Sequence, residues 1–248
     1  MIIVRPDGTP ITKWEDWTRP KRDYQWQPGR SAMELAKAWF RDGDNPSPPK
    51  ELMELLSSHE RLTGIELIKG TPELVTSLPE KGEGRNHDLH FLCKTPHERI
   101  TLCIEAKADE PFGDKKIGEY WASAMKQRQN DVRTGVPERI GTLLGMVGEN
   151  GFNPSVSSWA DVRYQLLTAI CGTAIQAKLD NSTLGILIVH EFQTDSTTPE
   201  NLKRNANDFV AFLQNILGIQ KKILSTKNLC PVTVSGVECL IGKVITVF

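Results

Sequence analysis

The sequence predicts an α/β sandwich of three layers, with helices on both faces of a mixed central β-sheet. Three observations carry that expectation. LGILIVHEF (184–192) is a nearly continuous apolar run of strand length, the pattern of a central strand covered on both faces. RNHDLHFLCK and RITLCIEAK, joined by a polar connection near 94–98, read as two neighbouring strands. Segments of helical period stand before and after these strands, enough to cover both sides of a sheet.

The chain has 248 residues, which suits one sizeable domain. We divide it into an N-terminal arm (1–30), the main α/β domain (31–220) and a C-terminal β extension (221–248) packed on that domain. Hydrophobic residues make up 39% and charged residues 25%, a globular balance. No apolar run approaches the roughly 18–20 residues that span a bilayer, and no signal peptide is evident, so the expected setting is cytoplasmic, without membrane contact. The five cysteines lack a C-x-x-C pair and read as buried free thiols. A net charge of −1 counts mildly against a protein that holds nucleic acid by charge alone. The clusters Lys115-Lys116, Lys126 with Arg128, and Lys221-Lys222 are more often solvated surface than phosphate contacts.

Element by element, the arm carries Trp14, Trp17 and Trp26, which pack on the domain or offer stacking platforms for bases; packing is the commoner use. Ser31 with Glu34 forms a capping-box pattern opening a helix over 31–41. Pro48 and Pro49 introduce a second helix, ELMELLSS. GIELIK (64–69) alternates as a strand, and GTPELVTSLPEKGEGR reads as a turn-rich cover. After the two motif strands, Pro111 and Gly113 end the sheet segment. Helices are expected over 114–129 and 133–148. GENGFNPSVSS reads as a loop delivering a second capping box, Ser158 with Asp161, into the longest helix, 159–178. Thr198-Pro199-Glu200 starts a helix to about 217. CPVTV and GKVITVF suggest a hairpin or added edge strands.

The chemistry concentrates on the two motif strands. Side chains alternate along a strand, so Glu105 and Lys107 share a face, roughly 6–7 Å apart at Cα, with Leu102, Ile104 and Ala106 opposite. Antiparallel pairing brings Asp88 close to Glu105, at the edge of an otherwise apolar sheet. Burying two carboxylates and an ammonium is costly unless they pair or hold a cation. The bland alternative is a structural ion pair of Lys107 with Glu105 or Asp88.

An Asp on one strand followed by Glu-X-Lys on the next resembles the PD-(D/E)XK nuclease superfamily. HDLHF, IEAKADEPFG, RYQLLTAICGTAIQAK and IVHEF together are similar to an uncharacterised bacterial family placed with that superfamily, over about 29–217. His87 stands where the superfamily has Pro. The resemblance implies a restriction-endonuclease-like αβββαβ core with additional helices. It also implies a nuclease hydrolysing phosphodiester bonds with Mg²⁺ or Mn²⁺ held by Asp88, Glu105 and the Ala106 carbonyl. Lys107 would orient water or stabilise the transition state. Nucleic acid is then the partner, and a homodimer suits double-strand cutting.

Around this core, the resemblance offers Glu34 and Glu54 as helix-borne carboxylates, although capping accounts for Glu34. His90 shares Asp88's face, and His87 should lie on the other. Arg163 and Gln165, from RYQLL, are candidate phosphate or water-positioning groups, while Arg163 could equally bridge to an acid. Asp109 and Glu110 follow the second strand and more often serve the turn. His190 and Glu191 end the central strand. No G-x-S-x-G, phosphate-binding loop, H-E-x-x-H or G-x-G-x-x-G is present. The competing reading from a different class is a nuclease-like scaffold that binds or assembles without cutting.

Overall fold

A computed structural model describes residues 1–150, 155, 157–219 and 228–248. Part of the loop expected over 148–158, the Lys221-Lys222 pair and the first residues of the expected β extension lie outside the described residues.

Among the described residues, seven strands form one mixed sheet in the order β1-β2-β3-β4-β5-β7-β6. They are β1 (Ile2–Ile3), β2 (Glu66–Thr76), β3 (Arg85–Lys94), β4 (Arg99–Lys107), β5 (Leu184–Gln193), β6 (Cys230–Val234) and β7 (Val237–Val247). β2, β3 and β4 run antiparallel in succession. β5 is parallel to β4, and β7 is parallel to β5. Among the described residues there are six α-helices: α1 (Ser31–Trp39), α2 (Lys50–Ser57), α3 (Ile117–Gln129), α4 (Val136–Met146), α5 (Tyr164–Leu179) and α6 (Pro199–Asn215).

Two apolar cores divide the molecule by sheet face, which makes it a three-layer α/β sandwich. On one face Leu35 and Trp39 of α1 and Leu52 and Leu56 of α2 pack with Leu89, Phe91, Leu102, Ile104 and Ile188. On the other, α3 to α6 cover Cys103, Leu187, Val189 and Ile241. Every residue of β5 from Leu184 to Phe192 is buried, as its apolar run requires. All five cysteines are buried and free. No helix among the described residues is long and apolar enough to cross a membrane.

Several boundaries differ from expectation for physical reasons. β2 does not stop at 69 but continues through Pro72 to Thr76. β1 pairs with it only at Lys69 and Gly70, so the stretch beyond is an edge where a residue without an N–H is tolerated. The helix expected at 159 begins at Tyr164, and that expected at 114 begins at Ile117. Here the two leading segments bond to each other: Ile117 N donates to Val162 O at 2.9 Å and Tyr164 N to Lys115 O at 3.0 Å. Ser157–Asp161 is a 3₁₀ turn, and the 17-residue α6 is longer than the 16-residue α5. β7 lies inside the sheet, between β5 and β6, so of the two tail strands it is β6 that stands at an edge. β4 is likewise the fourth of seven strands, so its carboxylate and lysine sit in the middle of the sheet rather than at the expected edge.

Candidate functional site

Glu105 and Lys107 end β4 on the face covered by α5, and both are buried, at 0% and 4% exposure. Their shared face follows from strand alternation, and the Lys107 ammonium reaches both a Glu105 carboxylate oxygen and the Ala106 carbonyl, the latter at 2.9 Å. It also lies 5.4 Å from the centre of the Phe112 ring. β3 and β4 pair from Leu89–Ile104 to Lys94–Arg99. Past Leu89 the carboxylate of Asp88 takes over the role of a strand partner, with Oδ2 accepting from the Ala106 N–H at 2.6 Å. Asp88, Glu105 and Lys107 are thus gathered at the end of the middle strand.

Two further charged residues belong to the cluster, and sequence reasoning missed both. Arg85, 6% exposed, makes a buried ion pair with Glu105. Glu73 stands in register beside Asp88, between the pairs Pro72–Leu89 and Leu74–His87, and holds a left-handed φ of 56°. Such a φ in a non-glycine residue inside a strand costs energy and clusters at functional sites. Asn86 donates to its carboxylate. Burial first, then the neighbouring Asp88 charge, pushes the Glu73 carboxyl up to about 7. Burial pulls the Lys107 ammonium below its ordinary value, with Asp88 and Glu110 opposing. Burial likewise lowers Arg85, against Asp88 and Glu73. The only sequence signals were an Arg at the head of a motif strand and a Glu inside what reads as a turn.

The strand also turns over at Asp88. Leu89 and Phe91 pack in the α1-side core, with Phe91 stacked on Trp39, whereas Arg85 and His87 approach Gly172 of α5. Strict alternation would keep all four on one face. The expectation that His87 lies across the sheet from the cluster therefore fails, and its position explains why burial and Arg85 hold its pKa well below the usual value.

Among the described residues, none of the secondary candidates makes a side-chain hydrogen bond or ion pair with Asp88 or Glu105. Glu34 accepts from Gly29 N at 2.8 Å and Lys37 Nζ at 3.1 Å, so it closes the start of α1 on the opposite face. Arg30, not Ser31, is the N-cap. Glu54 pairs with Lys50 on the surface. His90 binds Asp180 at 2.7 Å, in a polar network with Thr101 and Gln176. Arg163 pairs with Asp208 of α6 at 2.8 Å. Gln165 lies against Gly113, its buried Oε1 without a hydrogen-bond partner. Asp109 accepts from Thr198 N at 2.9 Å and Glu110 from Ser31 N at 3.0 Å, tying the turn after β4 to the starts of α6 and α1. His190 is paired with Thr246, and burial pulls its pKa down to about 3; Glu191 pairs with Lys243.

The Asp88 and Glu105 carboxylates and the Ala106 carbonyl are hard oxygen donors, and in kind they fit a small divalent cation. Each is engaged by a protein donor in this structure: Asp88 by Ala106 N–H, Glu105 by Arg85 and Lys107, and Ala106 O by Lys107. Among the described residues, no set of three or more His, Cys, Asp or Glu side chains is arranged to hold a metal.

Fold and site define a class: a three-layer α/β protein with a buried, internally compensated charge cluster at the end of its middle strand. The chain belongs to the family described as Domain of unknown function (DUF6946), whose model matches residues 10–247. Neither the curated proteins nor the solved structures contain a match.

Proposed function

We propose that this protein is a metal-dependent nuclease with a restriction-endonuclease-like core, hydrolysing phosphodiester bonds at the Asp88–Glu105–Lys107 cluster. The fold reading is supported by the antiparallel run β2-β3-β4, flanked by α1, and by the return through helices to β5 parallel with β4. The observation that carries the functional reading is the convergence of Asp88, Glu105 and Lys107 on one spot where the β3–β4 ladder ends.

In this reading Asp88, Glu105 and the Ala106 carbonyl hold Mg²⁺ or Mn²⁺, which when bound supplies Lewis acidity and an activated water. Arg85 must release Glu105 for that set to form. Lys107, its ammonium made easier to deprotonate by burial, orients the attacking water or offsets negative charge growing on the phosphate. Glu73 adds a third carboxyl beside Asp88, one that contributes negative charge only above about pH 7.

One observation favours a second reading, a nuclease-like scaffold that binds without cutting: Arg85 and Lys107 already neutralise Glu105. Cleavage assays separate the two. Wild type and Lys107→Ala are incubated with single- and double-stranded DNA and RNA, with Mg²⁺ or Mn²⁺. Cleavage by wild type that disappears in the variant and with chelator supports the enzyme. A folded, metal-supplied wild type that cuts no substrate removes it.

A further inference from the structure

Arg139, on α4, is a buried cation without a counter-ion. It is 7% exposed, and among the described residues no carboxylate lies within ion-pair distance of it. Its guanidinium is held by backbone oxygens, with Nη1 donating to Glu83 O at 2.6 Å and Nη2 to Glu80 O at 2.9 Å, and stands beside the Tyr164 hydroxyl; Nε has no hydrogen-bond partner. An uncompensated buried charge is expensive, and carbonyls offset it only in part. The surrounding loop is shaped to this grip. Gly82 has φ 141°, and a Cβ there would stand 2.9 Å from the guanidinium carbon.

The same guanidinium lines a cleft of about 480 Å³ between this loop and α3 to α5. Arg85 lines it as well, and its Nε is also without a partner. Lys81 is exposed on the rim. The one acid in the lining, Glu83, turns outward to Lys21 at 3.7 Å and is 89% exposed at its side chain. Tyr120 and Tyr164, edge to face at 5.0 Å, and Thr168 complete one wall. Two buried arginines, a lysine and hydroxyls line one space within the size range of small-molecule sites.

We propose that this cleft binds a phosphate group, borne by a nucleotide-sized ligand, with Arg139 as its principal counter-charge and Arg85 and Lys81 as further donors. The phosphate neutralises Arg139 and leaves the aromatic wall for the remainder of the ligand. The inference needs neither metal nor cleavage, so it stands or falls separately from the nuclease reading.

The test uses the full chain with chelator present. Inorganic phosphate, a 5′-mononucleotide and a short single-stranded oligonucleotide are titrated by calorimetry, against wild type, Arg139→Gln and Lys81→Ala. Saturable wild-type binding, weakened about tenfold or more in Arg139→Gln and severalfold in Lys81→Ala, is expected from loss of charged hydrogen bonds. Lys81→Ala, on the rim, keeps the test open if Arg139→Gln does not fold. Oligonucleotide binding tighter than mononucleotide binding identifies the phosphate of a strand; the reverse identifies a free phosphate ester. Absence of saturable wild-type binding to all three ligands at millimolar concentration overturns the proposal, as does binding unchanged in every folded variant.

Discussion

Arg85 and Glu105 form an ion pair from which water is almost wholly excluded, with side-chain exposures of 6% and 0%. Lys107 approaches the same carboxylate from its own strand. One buried anion is therefore served by two buried cations, with the Asp88 carboxylate and the Glu73 carboxyl, pushed up to about 7, alongside. Removing either partner of the Arg85–Glu105 pair exposes the desolvation cost that the other was offsetting.

Arg85→Met should lower unfolding free energy by about 3–5 kcal/mol, the usual cost of breaking a buried pair from one side. Urea denaturation measures it. If Glu105 helps hold a divalent cation, millimolar Mn²⁺ restores part of the loss in the variant, because metal takes the vacated place beside the carboxylate. A loss that Mn²⁺ leaves untouched would count against Glu105 as a ligand.

Glu73→Gln should act through pH. The folded carboxyl keeps its proton up to about pH 7, whereas the unfolded one loses it near 4.5, so folding takes up a proton between those values. Stability contributed by this site therefore falls as pH rises through that window. The amide removes the penalty: relative to wild type, the variant gains about 1–3 kcal/mol at pH 8 and close to nothing at pH 4. Denaturation curves at the two pH values give the difference directly. Equal effects at both would rule out a raised Glu73 carboxyl.

Asp180→Ala should cost about 1–3 kcal/mol by stranding His90, Thr101 and Gln176, whose polar groups it satisfies. Metal and phosphate binding should be unchanged. A loss of metal affinity in a folded Asp180→Ala protein would return His90 to the functional site.

Gly70→Ala tests the seam between β2 and β3. The added methyl would meet the Phe91 ring at 2.5 Å, and that ring is stacked on Trp39 with centroids 4.6 Å apart. A loss of about 1–3 kcal/mol is expected from overpacking, read as a lower melting temperature.

Periodicity made much of this legible. The apolar run 184–192 announced a strand buried on both faces, and the Glu105-x-Lys107 spacing announced a shared face. What stayed hidden depends on long-range partners. Pro72 reads as a strand breaker until the edge beside it is known. The local signals of Glu73 and Arg85 are too weak to single them out, because the left-handed φ of the one and the ion pair of the other arise only once β2, β3 and β4 are assembled. Conversely, Glu34, His90 and Arg163 were chosen for residue type and motif position. Gly29 and Lys37, Asp180, and Asp208 claim them respectively. The reversal of β3 at Asp88 had no counterpart in the alternation pattern.

The central claim is that Asp88 and Glu105 hold a divalent cation, and Mn²⁺ titration by calorimetry tests it most directly, with wild type beside Asp88→Asn. The account predicts saturable binding by wild type that is lost or weakened about tenfold or more in the folded variant, as removal of one charged ligand implies. No binding to wild type at millimolar Mn²⁺, or equal binding by both proteins, would contradict it and leave the cluster as an internally compensated structural knot.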